Sequence, residues 1–176
     1  MSPGFVVWFT GLPCSGKSTL ARMLEERLRA TGRPVCRLDA DEIRKRFWPE
    51  LGYSREDRDK NIHRFAQLAN LLKEQGVIAL VAVISPYRAT RDDARRLIGP
   101  FAEIYVKCPV ETCIERDVKG MYQKALRGEI LQFTGVSDPY EEPLNPEVVL
   151  DTSRATPEEC VDQLLRRLKE LKFLQP

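Results

Sequence analysis

The chain has 176 residues, 43% hydrophobic and 31% charged, a length that suits one domain with a core of its own and a balance that excludes a disordered chain. Twenty-eight Lys and Arg against 26 Asp and Glu leave a net charge of +2. That is too near neutrality for a general nucleic-acid or membrane surface, so no nucleic-acid or membrane partner is expected and any anion must be held by a local site.

Cys14, Cys36, Cys108, Cys113 and Cys160 form no CxxC pair and no metal-ligand spacing with the single histidine. Small buried hydrophobes in a reduced, cytoplasmic setting are expected. The N-terminal run MSPGFVVWFTGL lacks a basic leader, and no apolar run approaches the ~18 residues of a membrane span, so neither export nor anchoring is expected.

Residues 5–10 (FVVWFT) are a short apolar run between Gly4 and Gly11, the pattern of a buried strand. Leu20, Met23, Leu24 and Leu28 then recur at helical spacing until Gly32-Arg33-Pro34,. Residues 35–38 predict a second strand, delivering Asp39 and Asp41 just past its end. Ser54, with Asp57 three residues on, predicts a capped helix whose apolar face (Ile62, Phe65, Ala69, Leu72) runs to Gly76,. Residues 77–84 (VIALVAVI) read as a central parallel strand, 104–106 as another and 148–150 as a last one. The stretch 118–146 loses this rhythm and carries Gly120, Gly128, Gly135 and three prolines, which predicts a mobile lid. Thr156-Pro157-Glu158-Glu159 is a capping box opening an amphipathic closing helix,. The alternation predicts one α/β domain over residues 1–176: a parallel sheet with helices on both faces and ligands at the carboxyl ends of the strands.

Gly11-Leu12-Pro13-Cys14-Ser15-Gly16-Lys17-Ser18, followed by Thr19, completes G-x-x-x-x-G-K-[ST] between a strand and a helix, the setting a phosphate-binding loop requires. Backbone amides and the helix N-terminus would cradle polyphosphate, Lys17 would reach the β- and γ-phosphates, and Ser18 would offer its hydroxyl to Mg²⁺. ATP is therefore the expected co-substrate and the fold a P-loop NTPase type. Asp39 and Asp41 can orient or deprotonate an attacking hydroxyl and bind Mg²⁺ through water, or can simply cap the helix that follows. Residues 77–84 end in Ser85-Pro86-Tyr87-Arg88 rather than the Asp usual in GTPases and motor ATPases, which favours a small-molecule kinase. In that segment Tyr87 offers a flat face and Arg88 a cation, although a plain proline turn fits the same residues. Arg44, Arg58, Asn61 and Arg64 flank the expected acceptor pocket, with Arg58, Asn61 and Arg64 near one helical face, as an anion clamp or as solvated surface charges.

Several ordered blocks together resemble the adenylylsulfate kinase family: GLPCSGKST at 11–19, DADEIR at 39–44, LGYSREDRDKNIHR at 51–64, ISPYRATR at 84–91, RDVKGMYQKALRGEI at 116–130 and FTGVSDPYEEP at 133–143. The resemblance implies ATP-dependent phosphorylation of the 3′-hydroxyl of adenylylsulfate, giving 3′-phosphoadenylylsulfate and ADP, in sulfate activation. It implies Asp41 beside the acceptor hydroxyl and the metal; Arg44, Arg58, Asn61 and Ile84, Ser85, Pro86, Tyr87 and Arg88 on adenylylsulfate; Lys119 as the lid lysine; and Tyr53 and Phe133 around the substrate adenine. Ser85 holds the position associated with a phosphoserine intermediate, although direct in-line transfer suffices physically. A homodimer and functional coupling to a sulfurylase are implied as well. The chain departs from the family pattern at Pro13-Cys14, at Ala40 where Gly is common, at His63 where Arg is common and at Val118 where Pro is frequent. Two other readings fit the nucleotide loop: a kinase for another small hydroxyl metabolite, and a nucleotide-binding regulatory module without transferase activity.

Overall fold

The structure, a computed structural model, describes residues 3–175. Met1, Ser2 and Pro176, at the ends of the expected domain, lie outside the described residues. Five parallel strands run in the order β2-β3-β1-β4-β5: β1 Val6–Thr10, β2 Val35–Asp39, β3 Ile78–Ala82, β4 Phe101–Lys107 and β5 Val148–Asp151. Val6 to Phe9 of β1 have no exposed surface, as expected of a strand covered on both faces. The period of two then divides the core. Val7 and Phe9 pack with Leu80, Ile104 and the stripe Leu20, Leu24 and Leu28 of α1 (Lys17–Arg29), closed by Leu164 and Leu168 of α7 (Pro157–Glu170). Val6 and Trp8 point the other way, against Val81 and Ile62, Phe65 and Ala69 of α3 (Arg55–Glu74), with Ala94 and Ile98 of α4 (Arg88–Ile98). Truncating any of these leucines to Ala would cost about 2–5 kcal/mol.

The helix ends follow local chemistry. The Ser54 hydroxyl accepts from the Asp57 amide at 3.1 Å, and Thr156 with Glu159 closes the capping box, with Pro157 at the first helical position,. Differences from the sequence expectation lie at strand ends. The strand expected over 77–84 is Ile78–Ala82, because the chain leaves the ladder to enter a turn in which Ser85 has φ +44°. The strand expected over 104–106 is Phe101–Lys107. Glu103 interrupts its apolar pattern but is tolerated inside because Arg91 and Arg95 neutralise it,.

Between β4 and β5 the stretch that lacks sequence rhythm has a small core of its own. Short helices α5 (Val110–Arg116) and α6 (Met121–Leu126) bury Cys108, Cys113, Tyr122, Ala125 and Phe133 together. The Tyr122 hydroxyl donates to the carbonyl of Pro13 at 2.8 Å and its ring meets Phe133 edge-on, with centroids 4.9 Å apart. The segment thus sits over the carboxyl ends of β1 and β3. The eight-residue helix α2, Ala40–Phe47, follows β2 directly, so Asp39 is both the last strand residue and the helix N-cap. All five cysteines are free thiols, with Cys108, Cys113 and Cys160 buried and Cys14 and Cys36 half-buried. Among the described residues no helix is long and apolar enough to cross a membrane.

Candidate active site

The loop between β1 and α1 is shaped by its glycines. A Cβ at Gly11 would lie 2.5 Å from the Val106 carbonyl, so only glycine lets the loop pass β4 this closely. Gly16 caps α1 at φ +108°, with no side-chain cap and no acidic residue in the first turn. The first amides of α1 therefore keep their donors free for an anion. The Lys17 ammonium is turned back on the loop, donating to the carbonyls of Gly11 (3.0 Å) and Leu12 (2.6 Å). Burial pulls its pKa down to about 8, against the opposing pull of the nearby Cys113, Cys14, Asp39 and Asp41.

Ser18 donates from its hydroxyl to Asp39 Oδ2 at 2.6 Å, while Asp39 Oδ1 accepts from the Asp41 amide at 3.2 Å. Asp39 thus caps α2, the plainer of the two roles open from sequence, and also accepts from Ser18 of the nucleotide loop. Hard oxygen donors from Ser18, Asp39 and Asp41 form the set that Mg²⁺ prefers. Asp41 is exposed and its carboxylate pairs with the Lys119 ammonium, so the residue proposed at the acceptor and the lid lysine meet. That pairing raises the pKa of Lys119.

A cleft of about 260 Å³ opens beside this pair. The nucleotide loop contributes Pro13, α2 contributes Asp41 and Arg44, α3 contributes Arg58 and Asn61, the turn after β3 contributes Ile84, Ser85 and Pro86, and the segment above contributes Phe133. Tyr53 completes the rim, half of its surface exposed, with the Arg44 guanidinium 4.7 Å from its ring centroid. Arg44 also donates to the carbonyls of Leu51 and Gly52, fixing the loop that carries Tyr53. Arg58, 7% exposed, donates to the carbonyls of Tyr53 and Gln132, to the Thr134 hydroxyl and to the Asp138 carboxylate, tying α3 to the segment above it. Asn61 accepts from the Trp48 indole at 2.8 Å.

Other sequence candidates are placed apart. Tyr87 is buried as the N-cap residue of α4 under the Arg55 guanidinium, and Arg88 donates to the Glu142 carbonyl; neither lines the cleft. Arg64 pairs with Glu50 and lies over Trp48, also outside the cleft, and His63 is exposed. Thr19 is exposed in the first turn of α1. Two neighbours of the nucleotide loop escaped the motif reading. Arg116 donates to the carbonyls of Cys14, Ser15 and Thr152, and the Thr152 hydroxyl donates to the Ser15 carbonyl at 2.7 Å. They reach the loop from over a hundred residues away, and no spacing signal links them to it.

A family model described as adenylylsulphate kinase matches residues 3–151. An adenylyl-sulfate kinase of Chloroflexus aurantiacus is 53% identical over 171 residues, covering 97% of this chain and 92% of that protein. Among solved structures, the Mycobacterium tuberculosis APS kinase in complex with AMPPNP and APS superposes with a TM-score of 0.91 at 37% identity, covering 96% of this chain and 99% of that one. A hexameric APS kinase from Thiobacillus denitrificans matches with a TM-score of 0.76 at 35% identity, over 99% of this chain and 30% of its own. Fold, ordered motifs and relatives agree: the chain belongs to the adenylylsulphate kinase family.

Proposed function

We propose that the chain transfers the γ-phosphoryl group of ATP to the 3′-hydroxyl of adenylylsulfate, releasing ADP and 3′-phosphoadenylylsulfate. The observation that carries this reading is the cleft itself. Its wall joins Pro13 of the nucleotide loop to Asp41, Arg44, Arg58 and Asn61, so that polyphosphate and an anionic nucleotide acceptor can lie on opposite sides of one carboxylate,. Residues 11–19 hold the triphosphate through backbone amides and Lys17, whose charge meets the phosphate oxygens as negative charge builds. Asp41 orients the acceptor hydroxyl and takes its proton as the oxygen bonds to phosphorus and the bridging oxygen leaves with ADP. Lys119, beside Asp41, faces the same transferring charge. Mg²⁺, held by Ser18 and Asp39 with Asp41 through water, would supply electrostatic neutralisation of the phosphates.

Tyr53 and Phe133 present aromatic faces for the adenine, and Arg44, Arg58 and Asn61 supply donors for sulfate and phosphate oxygens. The whole described chain acts as one kinase domain in this reading. It includes self-association, in keeping with the hexameric Thiobacillus relative, and supply of adenylylsulfate by a separate sulfurylase. The test is ATP-dependent formation of 3′-phosphoadenylylsulfate by the purified protein, with gluconate, shikimate and uridine as competing acceptors. Comparable rates on any of those three would replace this reading with a broader hydroxyl kinase.

A further inference from the structure

Arg91, on α4, is 2% exposed and lies behind the cleft rather than in it. Its guanidinium serves groups on three separate segments. Nε donates to Glu103 Oε1 on β4 at 2.9 Å, Nη1 to the carbonyl of Ser85 in the cleft-lining turn, and Nη2 to the carbonyl of Glu141 on the arm returning from the segment above. The charge is balanced inside the protein. Glu103 also accepts from Arg95, Arg95 pairs with Glu147, and the Glu147 carboxylate accepts from the Glu103 amide.

The two carbonyls that Arg91 holds belong to opposite sides of one seam. Across it the Glu141 amide donates to the Pro86 carbonyl at 2.8 Å, and the Glu141 carboxylate accepts from the Arg88 amide at 3.0 Å. Ser85 itself sits in the left-handed region, which a non-glycine residue holds only when its surroundings fix it,. A planar fork of donors can hold both carbonyls and the carboxylate at once, whereas a lysine ammonium on a flexible stem cannot span them.

We infer that Arg91 is a positioning residue: by gripping the Ser85 and Glu141 carbonyls together, it sets the turn that lines the acceptor cleft against the arm of the overlying segment. It never touches substrate. Its effect is on how well the acceptor fits, leaving the nucleotide loop alone. This rests on reading the cleft as the adenylylsulfate site.

The experiment is steady-state kinetics and thermal melting of the full chain, wild type against Arg91→Lys and Glu103→Gln. R91K keeps the charge facing Glu103 but loses the fork. It is expected to fold and to raise the KM for adenylylsulfate roughly tenfold while the KM for ATP stays within about twofold. E103Q keeps the fork on both carbonyls and weakens the buried ion pair, so it is expected to lower the melting temperature and leave both KM values within about twofold. An unshifted KM for adenylylsulfate in R91K, an E103Q shift as large as that of R91K, or an R91K chain that does not fold would each reduce Arg91 to a structural ion pair. A wild-type chain with no activity on adenylylsulfate would overturn this inference together with the reading of the cleft; wild-type activity with an unshifted R91K overturns the inference alone.

Discussion

The indole N–H of Trp8 donates to the hydroxyl of Ser85 at 3.1 Å, between residues that are both essentially buried. Ser85 Oγ in turn lies 3.3 Å from the Val83 carbonyl, so the hydroxyl is occupied as donor and as acceptor. A phosphoryl group on this oxygen would replace the hydrogen donated to Val83 and would have to be housed where the side chain has almost no exposed surface. Ser85→Ala is therefore expected to keep turnover within about tenfold of wild type while losing about 1–3 kcal/mol of stability through the orphaned indole N–H. Product formation and urea denaturation measure the two effects; loss of nearly all turnover in a folded variant would restore an obligatory phosphoserine.

Lys17→Met is expected to lower turnover by a factor of roughly 10²–10³, the scale of removing one preorganised donor from the transition state. The same variant tests a pH effect. With its pKa near 8 in the folded chain and 10.5 as the ordinary value, Lys17 releases its proton on folding across that interval. The unfolded chain then binds more protons, so stability contributed by this group rises with pH there and is flat below it. Denaturant midpoints at intervals from pH ~7 to ~10 should show a positive contribution in wild type that is missing from the variant. Affinity for a non-hydrolysable ATP analogue should fall as pH passes about 8 in wild type.

Asp39 and Asp41 are expected to separate in kinetics. Asp41→Asn leaves the Ser18 contact intact but removes the acceptor carboxylate, so turnover should fall by roughly 10²–10⁴ with the nucleotide analogue still bound. Asp39→Asn weakens the partner of Ser18 and should raise the Mg²⁺ concentration needed for half-maximal rate. Equal Mg²⁺ dependence in wild type and D39N would remove Asp39 from the metal site.

Arg58→Met removes a guanidinium shared among Tyr53, Gln132, Thr134 and Asp138. About 3 kcal/mol of stability is expected to go with it, since the Asp138 partner and buried carbonyls lose their donor. Limited proteolysis should cut first within residues 127–140, and the KM for adenylylsulfate should rise by at least about tenfold. An unchanged cleavage pattern would show that the segment is held by its aromatic cluster alone.

The nucleotide loop was legible because its chemistry is local: strand, glycines, lysine and helix follow within a dozen residues, and each constrains the next. The strand order, by contrast, needed coordinates, since nothing in residues 78–82 says that they pair with β1 on one side and β2 on the other. Side-chain periodicity found the core face of α3 but left its polar face undecided. Arg58, Asn61 and Arg64 share a spacing, yet only the first two reach the cleft: six residues along a helix turn Arg64 about 120° away from Arg58, where it pairs with Glu50. Tyr87 and Arg88 were grouped with Ser85 by adjacency. The left-handed turn at Ser85 leads into α4, and both side chains lie away from the cleft. Arg91 and Glu103 were invisible as a pair because a charge inside an apolar strand has meaning only beside its partner.

The nucleotide loop and the Ser85 turn leave β1 and β3, which are adjacent rungs of a single ladder though more than seventy residues separate them in the chain. The loop and the turn are thereby spaced by interstrand hydrogen bonds. Melting of that one pairing would displace the loop and the turn together, while α2 and α3, which carry Asp41, Arg44, Arg58 and Asn61, set the rest of the acceptor side.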